Sequence, residues 1–290
     1  VWFKPKHYAL VSGLLATAAM TGAFFSEAPL SFVQAKFGWQ ETIEICAYIG
    51  FAITILFFIF VKNKPKNSFS EPNNPKGQSE SNSNNVSLKN IWAILKMPQN
   101  WLLTFYSGLA FSPVAVFGGL WGNPFLQASY NLSKTTTATL VSMCFVGLAV
   151  GGPVLGWVSD KLGARKRVML FSNLLSLFCL TIVLYDNTLS PITIGLLLFL
   201  FGFGIGAFML GFVVAKEINP IVMAATVIAL VNTGDAIFEM FTEPMIGYFL
   251  DLTHRSESLI KTHQFSVSAF HYAFAILPVY LVLSTILLIF

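Results

Sequence analysis

The chain has 290 residues, 55% of them hydrophobic and only 10% charged, with a formal net charge of +4. Soluble domains carry roughly 25% charged residues, so this composition, with a mean hydropathy of +0.70, excludes a soluble globular protein. It specifies a polytopic membrane protein, in which the bilayer sets the number of elements, and its 29 Phe and 21 Gly suit closely packed, lipid-facing helices.

The chain opens on Val1 with neither an initiator Met nor the charged start of a signal peptide. It closes on LVLSTILLIF without a polar tail, and both ends read as cuts in a longer protein. A spanning helix needs about 20 mostly apolar residues. Eight stretches qualify: 8–33, 42–61, 101–125, 136–158, 167–185, 191–215, 220–250 and 267–290. These runs are too long for barrel strands and show no alternation, so the fold class is an all-α helical bundle of about eight transmembrane helices. Cys46, Cys144 and Cys179 lie inside apolar runs without metal-ligand spacing and are expected as small buried hydrophobes.

One long polar segment interrupts the spans. Residues 62–90, rich in Asn, Ser, Lys and Pro, cannot bury enough apolar surface to fold alone. After it, Ile91, Trp92, Ile94 and Leu95 are expected on one side of a short interfacial helix, ended by the break at Pro98. Sorting the connections by side puts Lys4, Lys6, Lys62, Lys64, Lys66, Lys76, Lys89, Lys96, Lys161, Arg165, Lys166, Arg167 and Lys216 together, thirteen cations. The opposite side has four: Lys36, Lys134, Arg255 and Lys261. The positive-inside rule then assigns the polar loop and the C-terminus to the cytoplasm.

Between the fourth and fifth spans, residues 156–166 read GWVSDKLGARK. Two glycines, Gly156 and Gly163, are expected to allow a tight turn. Asp160 is expected to cap a neighbouring helix or pair with Lys161 or Arg165, a bond that must break if the helices slide. The plainer alternative is that these cations only anchor topology.

Gly156, Asp160, Lys161, Gly163, Arg165 and Lys166 together resemble the loop signature of the major facilitator superfamily, G-x-x-x-D-[RK]-x-G-[RK]-[RK], with Ala164 where a basic residue is usual. The family has twelve spans in two halves and carries this signature after the second span of each half. The resemblance therefore implies that 1–61 are the last two spans of the N-terminal half, 62–100 the central linker with its interfacial helix, and 101–290 the six-span C-terminal half. Four spans of the same protein would precede this chain. It also implies alternating access by two rocking bundles, and a central cavity lined by the third and sixth spans. The third offers Tyr106, Ser107, Ser112, Trp121 and Asn123 to that cavity, although ordinary packing is an alternative for each. LWGNPFLQASY is similar to carriers of amino acids and nutrients in intracellular bacteria. The Lys-, Asn- and Phe-rich composition suits an AT-rich bacterial genome, so a bacterial cytoplasmic (inner) membrane is expected.

The seventh span supplies the sharpest site. Asp235, Glu239 and Glu243 recur every four residues, so they share a helical face with about 40° of drift per step, and Asn232 lies on the same stripe. Acids in a bilayer core are costly and face a cavity, a partner or an ion path. A coupling role with a proton, or contact with substrate, is one reading, and an acidic stripe lining a wet vestibule is the other. Glu27, before Pro29 in the first span, parallels Glu243-Pro244 in the seventh. The FGFGIGAFMLGF run, with Gly202, Gly204, Gly206 and Gly211, is expected to permit close helix contact or bending.

No metal spacing, cofactor motif or catalytic constellation is visible among the scattered His7, His254, His263 and His271. The cations follow membrane topology, so no nucleic-acid surface is expected, and an enzyme is not. The sequence thus supports a secondary transporter for a small polar solute: an amino acid, nucleoside or organic anion. A non-transporting receptor or scaffold on the same fold, and a channel, are the rivals.

Overall fold

The structure is a computed structural model and describes residues 8–61, 88–220, 223–256 and 265–289. Most of the Asn-rich segment, the first seven residues with His7, and the loop containing His263 and Lys261 lie outside the described residues. Among the described residues every regular element is a helix. The order is α1 (Tyr8–Phe37), α2 (Trp39–Phe60), α3 (Leu88–Lys96), α4 (Pro98–Val116), α5 (Gly122–Tyr130), α6 (Lys134–Leu162) and α7 (Arg165–Tyr185). Then follow α8 (Pro191–Ile205), α9 (Met209–Ile218), α10 (Ala224–Ser256), α11 (Val267–Phe274) and α12 (Ile276–Ile289).

Seven helical stretches are long and apolar enough to cross a membrane, by length and composition. They match the second to eighth predicted runs, and the first falls within the 30-residue α1. The third run extends outward to Pro98–Tyr130, because polar residues such as Asn100 and Gln127 are accommodated inside the helix, whereas the seventh shifts along the chain to Ala224–Thr253. At one end of the bundle, Ser133, Ser190 and Ser266 accept from the N–H groups of Thr136, Thr193 and Ala269, starting α6, α8 and α11. Each such cap contributes about 1 kcal/mol.

In lipid, helix association rests on close packing and interhelical hydrogen bonds, since the tails are as apolar as Leu. The α6–α8 pair shows how the sequence meets that demand. A Cβ placed on Gly147 or Gly151 would overlap the carbonyls of Phe199 or Phe203, and one on Gly202 would overlap that of Cys144. Gly206 approaches the backbone of Gly151 and Gly152 in the same way. The glycine run is therefore a contact surface, and it bends at the single 3-10 turn Gly206–Phe208 that joins α8 to α9. Gly211 stands apart, facing the ring of Tyr106 at ordinary contact distance.

An aromatic cluster of Phe117, Phe125, Phe201, Phe270 and Phe274 fills the core where α5, α8 and α11 meet, with ring centroids 5.2–6.5 Å apart. Cys144 and Cys179 are buried as expected, but Cys46 is exposed on α2. Of that helix only Thr42 is buried, so residence in an apolar run does not by itself mean a place in the core.

The short helix α3 also corrects an expectation. Ile94 is 3% exposed and packs with Ala215, Met223, Val227 and Val231 of the α9–α10 region, whereas Trp92 is 61% exposed. The two are separated by 200° on the helix; they point apart.

Candidate functional site

The GWVSDKLGARK motif closes one end of the bundle, here called the motif end. Gly163 ends α6 in the left-handed conformation, φ 59°, which favours glycine. Gly156, expected in the turn, is instead a helical residue of α6 with nothing near its missing side chain. Asp160 pairs with Arg165 at 2.9 Å and not with Lys161, which lies 5.0 Å from the ring of Trp157 one turn earlier. Nor does Asp160 cap α7, whose N-cap residue Ala164 makes no side-chain bond.

Arg165 does more than the motif predicted. Its Nε and Nη2 donate to both carboxylate oxygens of Glu217 at 2.7–3.0 Å, while Nη1 serves Asp160 and lies 3.4 Å from Ser159 Oγ. One guanidinium thus ties the end of α6 and the start of α7 to the last turn of α9, in the forked geometry that only Arg offers. Lys166 donates to the carbonyl of Ile289 at 2.7 Å, adding α12.

Two residues beyond Glu217, the buried Asn219 exchanges amide bonds with the buried Asn100 of α4, at 2.8 and 3.2 Å. Asn100 also donates to Ile94 O of α3. Glu217, Asn219 and Asn100 are not part of any motif. An acid near a helix end followed by Asn-Pro was the one available signal.

The acidic stripe of α10 divides. Asp235 is 5% exposed and turned toward α4, while Glu239 and Glu243 are half-buried and Asn232 is exposed. The split follows from the 40° drift, which leaves Asp235 at the edge of the stripe. Backbones at this crossing are close, since a Cβ on Gly234 would meet Thr104 and one on Gly108 would meet Gly234. Ser107 of α4 faces the Asp235 carboxylate. Ser107 Oγ and Asp235 Oδ1 are both buried and neither reaches hydrogen-bond geometry with a partner. No cation offsets the acid among the described ion pairs. Ser112 contacts Thr242 Oγ1 at 3.5 Å, which in turn lies 3.1 Å from Tyr280 of α12.

Trp121 and Asn123 are re-aimed by a feature invisible to hydropathy. A π-helical stretch, Phe117–Trp121, joins α4 to α5, four residues after Pro113. Trp121 consequently donates its indole N–H to the carbonyl of Glu243 at 3.3 Å and lies against Gly247, so it braces α10. Asn123 donates to Glu27 Oε2 at 2.8 Å, across to α1. Glu27 and Asn123, placed separately by sequence, form one site at the end opposite the motif.

A bundle of apolar helices, clasped at one end by a forked ion pair and holding an unpaired acid between two of its helices, has the architecture of a membrane transporter. The family model described as Major Facilitator Superfamily matches residues 114–290, and the chain belongs to that superfamily. The hexuronate transporter of Bacillus subtilis (strain 168) is 25% identical over 184 residues, 62% of this chain and 42% of the relative. The chain thus spans less than half the length of that curated relative. Among solved structures, a bacterial homolog of the human lysosomal transporter Spinster, in an inward-facing and unoccupied conformation, superposes with a TM-score of 0.63. It is 15% identical, and the match covers 99% of this chain and 70% of that one, which makes the fold the same.

Proposed function

We propose that this chain forms the last two spans of the N-terminal half (1–61), the linker (62–100) and the six-span C-terminal half (101–290) of a secondary active transporter in a bacterial cytoplasmic membrane. It works with the preceding helices of the same protein, with the motif end and the C-terminus in the cytoplasm. The solute is a small polar molecule moved by alternating access and coupled to protons. Within the classes read from sequence, the organic anions are favoured, because the curated relative carries a hexuronate, a sugar carboxylate.

The observation that carries this reading is the Arg165 clasp. A guanidinium shared between Asp160 and Glu217 can exchange partners as α6, α7 and α9 shift, at small cost in stability because the groups are partly solvated. Asp235 is the group best suited to the proton: a carboxyl without a counter-charge, beside an unused hydroxyl. Once protonated it would donate to Ser107 Oγ and satisfy both atoms.

The full-length protein in proteoliposomes should accumulate D-glucuronate, or a member of pooled organic acids, amino acids or nucleosides, when given an inward proton gradient. Uptake indifferent to the gradient would remove the coupling, and no flux of any pool in either direction would overturn the transport reading.

A further inference from the structure

At the end opposite the motif, α1, α5 and the starts of α2 and α6 line an open pocket of about 380 Å³. Its polar lining includes Glu27, Asn123, Gln127 and Lys134, with the indole of Trp39 at its edge. The pocket is separate from the α4–α10 crossing that holds Asp235.

The groups in it are incompletely used. Glu27 receives one bond, from Asn123 Nδ2 at 2.8 Å, and no cation. Asn123 Oδ1 is buried without a partner. Lys134 is in no ion pair among the described residues, and it is the first residue of α6, where the helix dipole disfavours a cation. The pocket therefore offers one cationic donor and, within the same walls, a carboxylate with a single donor, Asn123 Nδ2, and an amide oxygen, Asn123 Oδ1, with none. A flat indole, 61% exposed, stands beside them.

We propose that this pocket binds a small carboxylate that also carries hydrogen-bond donors. The carboxylate is held by Lys134, its hydroxyl or ammonium groups by Glu27 and Asn123 Oδ1, and its less polar face by Trp39. This rests on the reading of the protein as a carrier of small polar solutes and names the place where the solute is first held. A neutral sugar leaves Lys134 unanswered, and a carboxylate without donors leaves Glu27 and Asn123 unanswered. Sugar acids and amino acids share the required chemistry.

All of these residues belong to this chain, so binding is measurable without transport. Equilibrium dialysis of labelled D-glucuronate against the purified full-length protein in detergent is the test, with L-alanine and D-glucose as competitors. Saturable D-glucuronate binding that D-glucose does not displace is expected. Lys134→Gln should weaken it by about tenfold or more, the loss of one charge-assisted contact, while Lys134→Arg should largely retain it. Glu27→Gln, which keeps a hydrogen-bonding side chain, should weaken it less than Glu27→Ala. If D-glucuronate does not bind and labelled L-alanine does, with the same dependence on Lys134, the pocket is an amino-acid site and the proposal stands. Failure of both probes to bind, equal displacement by D-glucose, or undiminished binding in a Lys134→Gln protein of unchanged elution volume would overturn it. Gradient-driven uptake is scored separately, so a transporter with an idle pocket and a binding pocket without transport give different results.

Discussion

Arg165 holds Glu217 through both carboxylate oxygens, at 2.7 and 3.0 Å, although 52 residues separate them. Their side chains are 26% and 49% exposed, so solvent screening limits what the pair adds to stability to under about 1 kcal/mol. Its value lies in being breakable. Glu217→Gln should leave the melting temperature nearly unchanged yet slow initial uptake by about fivefold, an effect near 1 kcal/mol on the barrier. The reversed pair, Arg165→Glu with Glu217→Arg, should recover part of the rate. Uptake rates and melting curves of the two variants, compared with wild type, check this.

Asp235 is the acid whose neutralisation should matter most. With a carboxamide at that position, no proton can be taken up or released there, so uptake in Asp235→Asn should lose its rise at low external pH. Ser107→Ala should displace the pH profile without removing it, since the acid remains but its hydroxyl neighbour is gone. Glu239→Gln and Glu243→Gln, at half-buried positions, should have smaller effects. Uptake measured across external pH decides it, and an unchanged pH dependence in all three single acid variants rules out the stripe as the coupling element.

The glycines divide into three kinds that a melting experiment can separate. Gly163→Ala forces a side chain into the left-handed region and should cost about 1–2 kcal/mol. Gly202→Ala drives a methyl into the Cys144 carbonyl and should cost about 1–3 kcal/mol as α8 is pushed from α6. Gly156→Ala meets open space inside a helix and should be neutral or stabilising by up to about 1 kcal/mol.

Asn100 and Asn219 should behave as a unit. Removing either amide strands the other in a buried site, at about 1–3 kcal/mol. The double Ala variant should therefore cost less than the two single losses added together, and a double-mutant cycle on thermal stability measures the coupling.

Much of this could be read along the chain. Long apolar runs place the spans because backbone polar groups in lipid must bond within a helix, and Gly163 announces the turn because few other residues accept its φ. The motif also identified Arg165 as a cation near Asp160. Its other partner was hidden, since Glu217 belongs to a helix that returns to the same end two spans later. Gly156 lies in α6 and not in the expected turn, because a glycine permits a turn but does not say where the helix stops. Trp92 was assigned to the face of Ile94 by its apolarity, yet which face of α3 is buried depends on the α9–α10 region it docks against.

Composition and hydropathy by themselves determined the membrane class, the helical architecture and the charge asymmetry, because these follow from the cost of placing each residue in lipid or water. The tertiary structure alone decided which polar groups meet: Glu27 with Asn123 across 96 residues, Trp121 with the Glu243 carbonyl across 122, and Asn100 with Asn219 across 119. The physical reason is that helix crossings, fixed here by glycine contacts and by the π-helical turn at Phe117–Trp121, set the rotation and depth of each helix. A rotation of one residue, about 100°, is enough to carry a side chain such as Asp235 from one neighbour to another while the hydropathy of its span stays the same.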